Sequence, residues 1–155
     1  MRSKLTTAGF LSAFLLGIAL LQAAGGDSLY GKITAVKSAQ TVVLDYRTGH
    51  YNIRIVGINV PEGAVSKQAQ QFLTKLLLGK HARMRLEQRA KNGDMIARLF
   101  TDDPVLGIKD VGVELVRNGL ARRQENYDYK YGELAAAENE AQKAGRGLWA
   151  TAQPQ

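Results

Sequence analysis

The two residues best placed to do chemistry are Arg54 and Glu62, in the stretch Asn52-Ile-Arg-Ile-Val-Gly-Ile-Asn-Val-Pro-Glu62. Arg54 sits in an apolar run that reads as a strand, and Pro61-Glu62 makes a corner that leads into a helical pattern. Held across such a corner, the two side chains can face one phosphate together. Cleavage of a phosphodiester asks for this combination: a cation where charge develops and a carboxylate to activate water.

A second set is basic. His81, Arg83, Arg85, Glu87 and Arg89 alternate with Ala82, Met84 and Leu86, the pattern of a half-buried strand with a basic outer side. Arg83, Arg85, Arg89 and the following Lys91 can track a phosphate backbone, although a solvated barrel face would read the same way. Tyr127, Tyr129 and Tyr131 are candidates for stacking a base, or for packing on a barrel edge. The net charge of +7 and pI of 9.8 suit phosphates, nucleic acid or anionic headgroups, but alone they imply only solubility and non-specific binding. Cysteine is absent, which excludes disulfides and thiolate metal sites. His50 and His81 are too few for a histidine-based metal centre.

These residues must be positioned by the elements around them. Arg2 and Lys4 precede an uncharged stretch over residues 5–24, which reads as a secretory signal or as an anchor long enough to cross a bilayer. Its orientation would export the rest, giving an extracytoplasmic, periplasmic or secreted domain. We therefore divide the chain into a signal peptide or membrane anchor over 1–26, one domain over 27–150 and a loose tail over 151–155. Within the domain, residues 29–36, 41–46, 50–57, 81–89 and 95–100 read as strands. Asn92-Gly93 is a two-residue hairpin signal, and Asp102-Asp103-Pro104 reads as a turn. Val65, Ala69, Phe72, Leu73, Leu76 and Leu77 predict a helix ended by Gly79. Helices over 110–118 and 131–144 follow, closed by Gly119 and Gly145, with Leu134, Ala137 and Ala141 as a packing stripe. The expectation is an α+β fold, a five-stranded OB-type barrel with three helices, preceded by an N-terminal apolar helix.

Three motifs carry a resemblance: residues 54–62 above, Asp110-Val-Gly-Val-Glu-Leu-Val-Arg-Asn-Gly-Leu-Ala121, and Gly145-Arg-Gly-Leu-Trp149. Together and in this order, they make the chain resemble the thermonuclease, or staphylococcal-nuclease-like, family from about Leu29 to Trp149. The resemblance implies an OB barrel with three helices and, in active members, calcium-dependent cleavage of DNA and RNA. It places the family's strand arginine at Arg54 and its glutamate after proline at Glu62. It also places the two calcium-binding aspartates at Gln40 and Asn59, and a second phosphate-binding arginine at Asp94. Arg98, four strand residues on, is about 13 Å away by strand rise and is no obvious substitute.

Gln40 and Asn59 bring amide oxygens without charge, and calcium affinity rests on carboxylates. The expectation is a catalytically degenerate domain with no metal or cofactor, acting as a binding or structural module. Its partner would be a membrane-protein complex reached through the 5–24 helix, a nucleic acid or another anionic ligand. Two alternatives stand beside this reading. One is a nuclease or phosphodiesterase that uses Arg54 and Glu62, with calcium as its cofactor if it keeps the family chemistry. The other is a nucleic-acid binder that does not cleave.

Overall fold

The structure, a computed structural model, describes residues 28–103, 107–127, 129 and 132–150. The apolar segment and the tail, and with them the expected N-terminal helix, lie outside these residues, as does Tyr131. No helix among the described residues is long and apolar enough to cross a membrane.

Strands β1 (Ser28–Val36), β2 (Thr41–Tyr46) and β3 (Gly49–Ile55) form an antiparallel meander. The chain then passes through β4 (Ile58–Asn59) into helix α1 (Ala64–Leu77). It returns as β5 (His81–Arg89) and β6 (Met95–Asp103). The order β3-β2-β1-β5-β6 closes on itself because β3 also pairs with β6 in parallel, so five strands make the expected barrel. Alternation places Ile33, Val42, Leu44, Ile53, Ile55, Met84, Ala97 and Leu99 inside it, almost wholly removed from water. Helix α1 covers one end with Ala69, Leu73 and Leu77, which recur every turn on one face. Gly79 takes up the left-handed conformation that ends it (φ 78°), where a side chain would be strained.

The remaining elements brace the other side. The chain continues through β7 (Gly107–Asp110), helix α2 (Val111–Arg117), β8 (Arg122–Arg123) and helix α3 (Glu133–Lys143). Asp110 caps α2, its carboxylate accepting the Val113 N–H at 3.1 Å. Leu134, Ala137 and Ala141 of α3 are buried, as their spacing implies. A single 3₁₀ turn (Gly147–Trp149) lies against the end of α2, with the Leu148 N–H bonded to the Gly119 carbonyl at 2.9 Å. A Cβ on Gly119 would come within 2.0 Å of the Arg146 carbonyl oxygen, so this close approach requires glycine.

One sequence expectation changes. Asp102-Asp103 is not a turn: β6 runs through both residues, and β7 pairs back on it with Phe100 opposite Asp110 and Asp102 opposite Ile108. Four residues of β7 are too few to show a period of two, so only the pairing reveals them.

Candidate functional site

In β3, Ile53 and Ile55 are buried, so alternation turns Arg54 outward, next to Thr41 of β2 and Ile96 of β6. Gly57 then bends the chain with φ 79°, and a Cβ there would meet the Tyr127 ring at 2.4 Å. The bend carries Asn59 to the exposed side of β4, where it pairs with Arg122. Gln40, at the end of the turn before β2, faces the same place. The result is a cleft of about 300 Å³ lined by Gln40, Arg54, Asn59, Gln124 and the chain from Ile55 to Ile58, with Ile96 at its side.

Gln40 sets the character of the cleft. Its Nε2 donates to the carbonyl oxygens of both Ile55 and Ile58, each at 2.8 Å. Two acceptors demand a donor, so the amide nitrogen must be the end that points at the backbone. Its backbone carbonyl accepts the Ile55 N–H at 3.0 Å, which ties the β1–β2 turn to the corner after β3. A carboxylate in this position would face two carbonyl oxygens and would need a cation between them. Here an N–H group fills that role.

Arg54 is exposed and makes no hydrogen bond or ion pair among the described residues. Glu62 is also exposed, in the bend before α1, and is not among the residues that line the cleft. Asp94 accepts from Asn52 Nδ2 and from Asn92 Nδ2, both at 2.9 Å, and Lys37 Nζ donates to the Asn52 oxygen at 2.7 Å. The Asn52 and Asn92 amides hold the Asp94 carboxyl below its ordinary value, and Lys37 and Arg54 add to that pull. Asp94 therefore sets a carboxylate within electrostatic reach of Arg54. Among the described residues, no three His, Asp or Glu side chains gather as a metal site would require.

The expected basic row is broken. Arg83 and Arg85 do share the outer face of β5, opposite Phe100 and Arg98 of β6. A bulge between Leu86 and Gln88 then shifts the register by one residue, so Arg89 falls opposite buried Met95 and leaves that face. Lys91 is in the turn beyond. Tyr127 is half-buried, with its ring edge-on to Tyr129 at 5.8 Å. Tyr129 is only 5% exposed and belongs to the core, where no base can stack on it.

Tyr129 belongs to a cluster that the sequence did not announce. Arg98, 9% exposed, donates from Nε to Asp110 at 2.8 Å and lies 3.5 Å from Glu133. Its guanidinium sits 3.6 Å from the centre of the Tyr129 ring, and the Tyr129 hydroxyl donates to the Val56 carbonyl at 3.2 Å. Burial and the neighbouring Asp110 push the Tyr129 phenol far above its ordinary value, so it stays neutral and acts as a donor. Burial also pushes the Asp110 carboxyl up, against the Arg98 guanidinium and the Val113 and Gly112 amides, which pull it down. The cluster joins β6, the start of α2 and the segment before α3. Gln124 is the other residue the sequence reading missed. It reaches the cleft because its N–H bonds to the Gly57 carbonyl at 2.9 Å, a pairing too short to leave a sequence pattern.

Comparison with known proteins places this architecture. Residues 52–151 match the model of the staphylococcal nuclease homologue family. A probable staphylococcal-like nuclease of Oryza sativa subsp. japonica is 28% identical over 137 residues, covering 87% of this chain and 38% of that protein. A probable endonuclease of Verticillium alfalfae is 32% identical over 111 residues, covering 63% of this chain and 38% of its own length. An uncharacterized endonuclease of Escherichia coli O157:H7 is 29% identical over 129 residues, covering 81% of this chain and 80% of that protein. The chain thus spans under two fifths of the rice and Verticillium relatives but most of the bacterial one. With the family match covering well over half of the chain, and a five-stranded barrel that carries three helices, the protein belongs to the staphylococcal nuclease homologue family.

Proposed function

We propose that this chain is an exported nuclease-fold domain that does not cleave by calcium chemistry and serves as a binding or structural module. The observation that carries this reading is the Gln40 amide, which donates to the Ile55 and Ile58 carbonyls where a carboxylate and its cation would otherwise lie. Calcium binds through oxygen ligands and prefers several carboxylates. Gln40 presents N–H groups and Asn59 is neutral, so this donor set does not fit the ion. Asp94 adds a negative charge near Arg54, where a second cation would have helped a phosphodiester reach its transition state. Loss of one such stabilising group costs about 10²- to 10³-fold in rate.

The test is incubation of the purified protein with single-stranded DNA, in calcium and in EDTA, together with thermal melts in both. No cleavage and coincident melts are expected. Calcium-dependent cleavage, or a rise of many degrees with calcium, would overturn the proposal. Arg54, exposed and without an ion pair among the described residues, supports a second reading, a phosphodiesterase with an altered metal requirement that uses Arg54 and Glu62. Cleavage in EDTA that is lost in Arg54→Ala and Glu62→Gln would establish it. The 5–24 segment would bring the domain to a membrane-protein complex if it is retained as an anchor. An intact mass beginning near Gly25 or Gly26 would rule that arrangement out.

A further inference from the structure

The outer face of β1, β5, β6 and β7 forms a surface separate from the Arg54 cleft. Register fixes which side chains share it: Tyr30 lies opposite Arg83, Lys32 opposite His81, and Arg83 opposite Phe100. Tyr30 and His81 stack with ring centres 5.5 Å apart and planes 17° from parallel. Tyr30 is 45% exposed and its hydroxyl donates to Asp102 at 3.2 Å, which holds the ring upright on the sheet. Next to it, Arg83, Phe100, Thr101, Asp102 and Ile108 line a shallow hollow of about 210 Å³, and Ile108 is 69% exposed.

We propose that this face binds single-stranded nucleic acid, with the phosphates on Arg83, Arg85 and Lys32 and the bases against the Tyr30–His81 stack and the Phe100 hollow. Two features favour this occupant. Aromatic and apolar surface interleaves with cations at single-residue spacing, so each base can find a ring while its phosphate finds a charge. The cations are also available: Arg83 makes no ion pair among the described residues, and Arg85 reaches only Glu87, at 3.5 Å and in solvent. Asp102 lines the hollow, and the Tyr30 hydroxyl already donates to it. Phe100 lies about 13 Å along β6 from Ile96, the neighbour of Arg54, and Arg98, opposite Arg85, about 7 Å, so a strand held at the Tyr30–Phe100 end does not need to enter the cleft. The surface works whether or not the cleft is catalytic.

The test is retention of a fluorescent oligothymidylate by the full chain in EDTA, measured by anisotropy over a range of salt. Binding should weaken with salt. The Arg83→Glu/Arg85→Glu variant should flatten the slope of log affinity against log salt by about 0.7 for each phosphate that the two arginines neutralise. Tyr30→Ala should weaken binding about 5- to 150-fold, the range for loss of one stacked base. Arg83→Lys should retain binding, and Lys75→Ala, on the exposed side of α1, should leave it unchanged. Circular dichroism melts that match the parent protein would confirm that the variants fold. Loss of binding in Arg54→Ala with none in the Arg83 and Tyr30 variants would overturn the proposal and place the strand in the cleft. No salt-sensitive retention by the parent protein would overturn it as well, leaving the face to a protein partner. Neither result depends on whether DNA is cut, so a failure here is separable from a failure of the cleavage test.

Discussion

Arg54 and Arg98 stand on adjacent strands of one barrel, each between residues buried inside it, and the molecule uses them in opposite ways. Arg98 lies under Tyr129 with Asp110 and Glu133 within ion-pair distance, so its charge is committed to the fold. Arg54 projects into an open polar cleft with no such partner among the described residues. Position in the fold, and not residue type, separates them. The end of β7 and the start of α3 bring the Asp110 and Glu133 carboxylates into ion-pair distance of Arg98, whereas the cleft sets the Gln40 and Asn59 amides around Arg54, with Asp94 acting on it only electrostatically. A satisfied buried pair is part of the structure, and an unpaired cation in a cleft is open to a ligand.

The largest effect that would test this contrast is on stability. Arg98→Met would leave the Asp110 carboxylate buried without its cation, and should cost about 3–5 kcal/mol in urea unfolding. Arg54→Ala, in solvent, should stay within about 0.5 kcal/mol of the parent. Because Asp110 also caps α2, Arg98→Met/Asp110→Ala should be less destabilising than the sum of its single changes. Equal stability of Arg98→Met and Arg54→Ala would erase the distinction.

Next in size is the Gln40 clasp. Gln40→Asp removes two hydrogen bonds and sets a carboxylate against the Ile55 and Ile58 carbonyls, at a cost of about 1–3 kcal/mol. With Asn59→Asp and Asp94→Arg added, calcium should recover part of that loss in a thermal melt, and weak calcium-dependent cleavage should appear. The three changes should act as a unit, with little cleavage in any single variant. A triple variant that binds calcium and leaves DNA untouched would show that the cleft differs beyond these positions. Calcium recovery with Gln40→Asp alone would show that Asn59 and Asp94 matter less than their charges suggest.

The barrel was legible because its strands alternate cleanly, as in Ala82, Met84 and Leu86, and because Gly79, Gly119 and Gly145 mark helix ends. Arg54, Gln40 and Asn59 were placed by motif, and the cleft does bring them together. Features set by pairing between distant segments were not legible. The bulge at Leu86/Gln88 moves Arg89 off the basic face, and the sequence marks it only by a lapse in alternation over the three polar residues Glu87-Gln88-Arg89. Tyr129 and Tyr127 look equivalent in sequence, but the ring of Tyr129 is stacked against the Arg98 guanidinium and that of Tyr127 remains half-open to solvent. Arg98 has the same local pattern as Arg54, an arginine between apolar neighbours, so only the chain that covers it identifies its role.

The smallest expected effect concerns Asp94, which tempers the cation in the cleft. Its carboxyl is held below the ordinary value, first by the Asn52 and Asn92 amides and then by Lys37 and Arg54. At neutral pH it is therefore an anion within reach of Arg54, and a phosphate approaching Arg54 meets its repulsion. Asp94→Asn removes the charge and keeps one acceptor oxygen. Affinity for inorganic phosphate, followed through the Arg54 Nε–Hε resonance, should rise by about fivefold at most, as for exposed charge pairs. The gain should shrink in high salt, because both groups face solvent. The stability that Asp94 contributes is present above the unfolded carboxyl value, about 3.9, and is lost as pH falls through the lower folded value. The parent should therefore lose stability relative to Asp94→Asn only below about pH 4, and the two phosphate affinities should converge over the same interval. If Asp94→Asn leaves phosphate binding unchanged at neutral pH, Asp94 does not set the charge that a ligand meets at Arg54. The contrast between the two arginines would then rest on pairing alone.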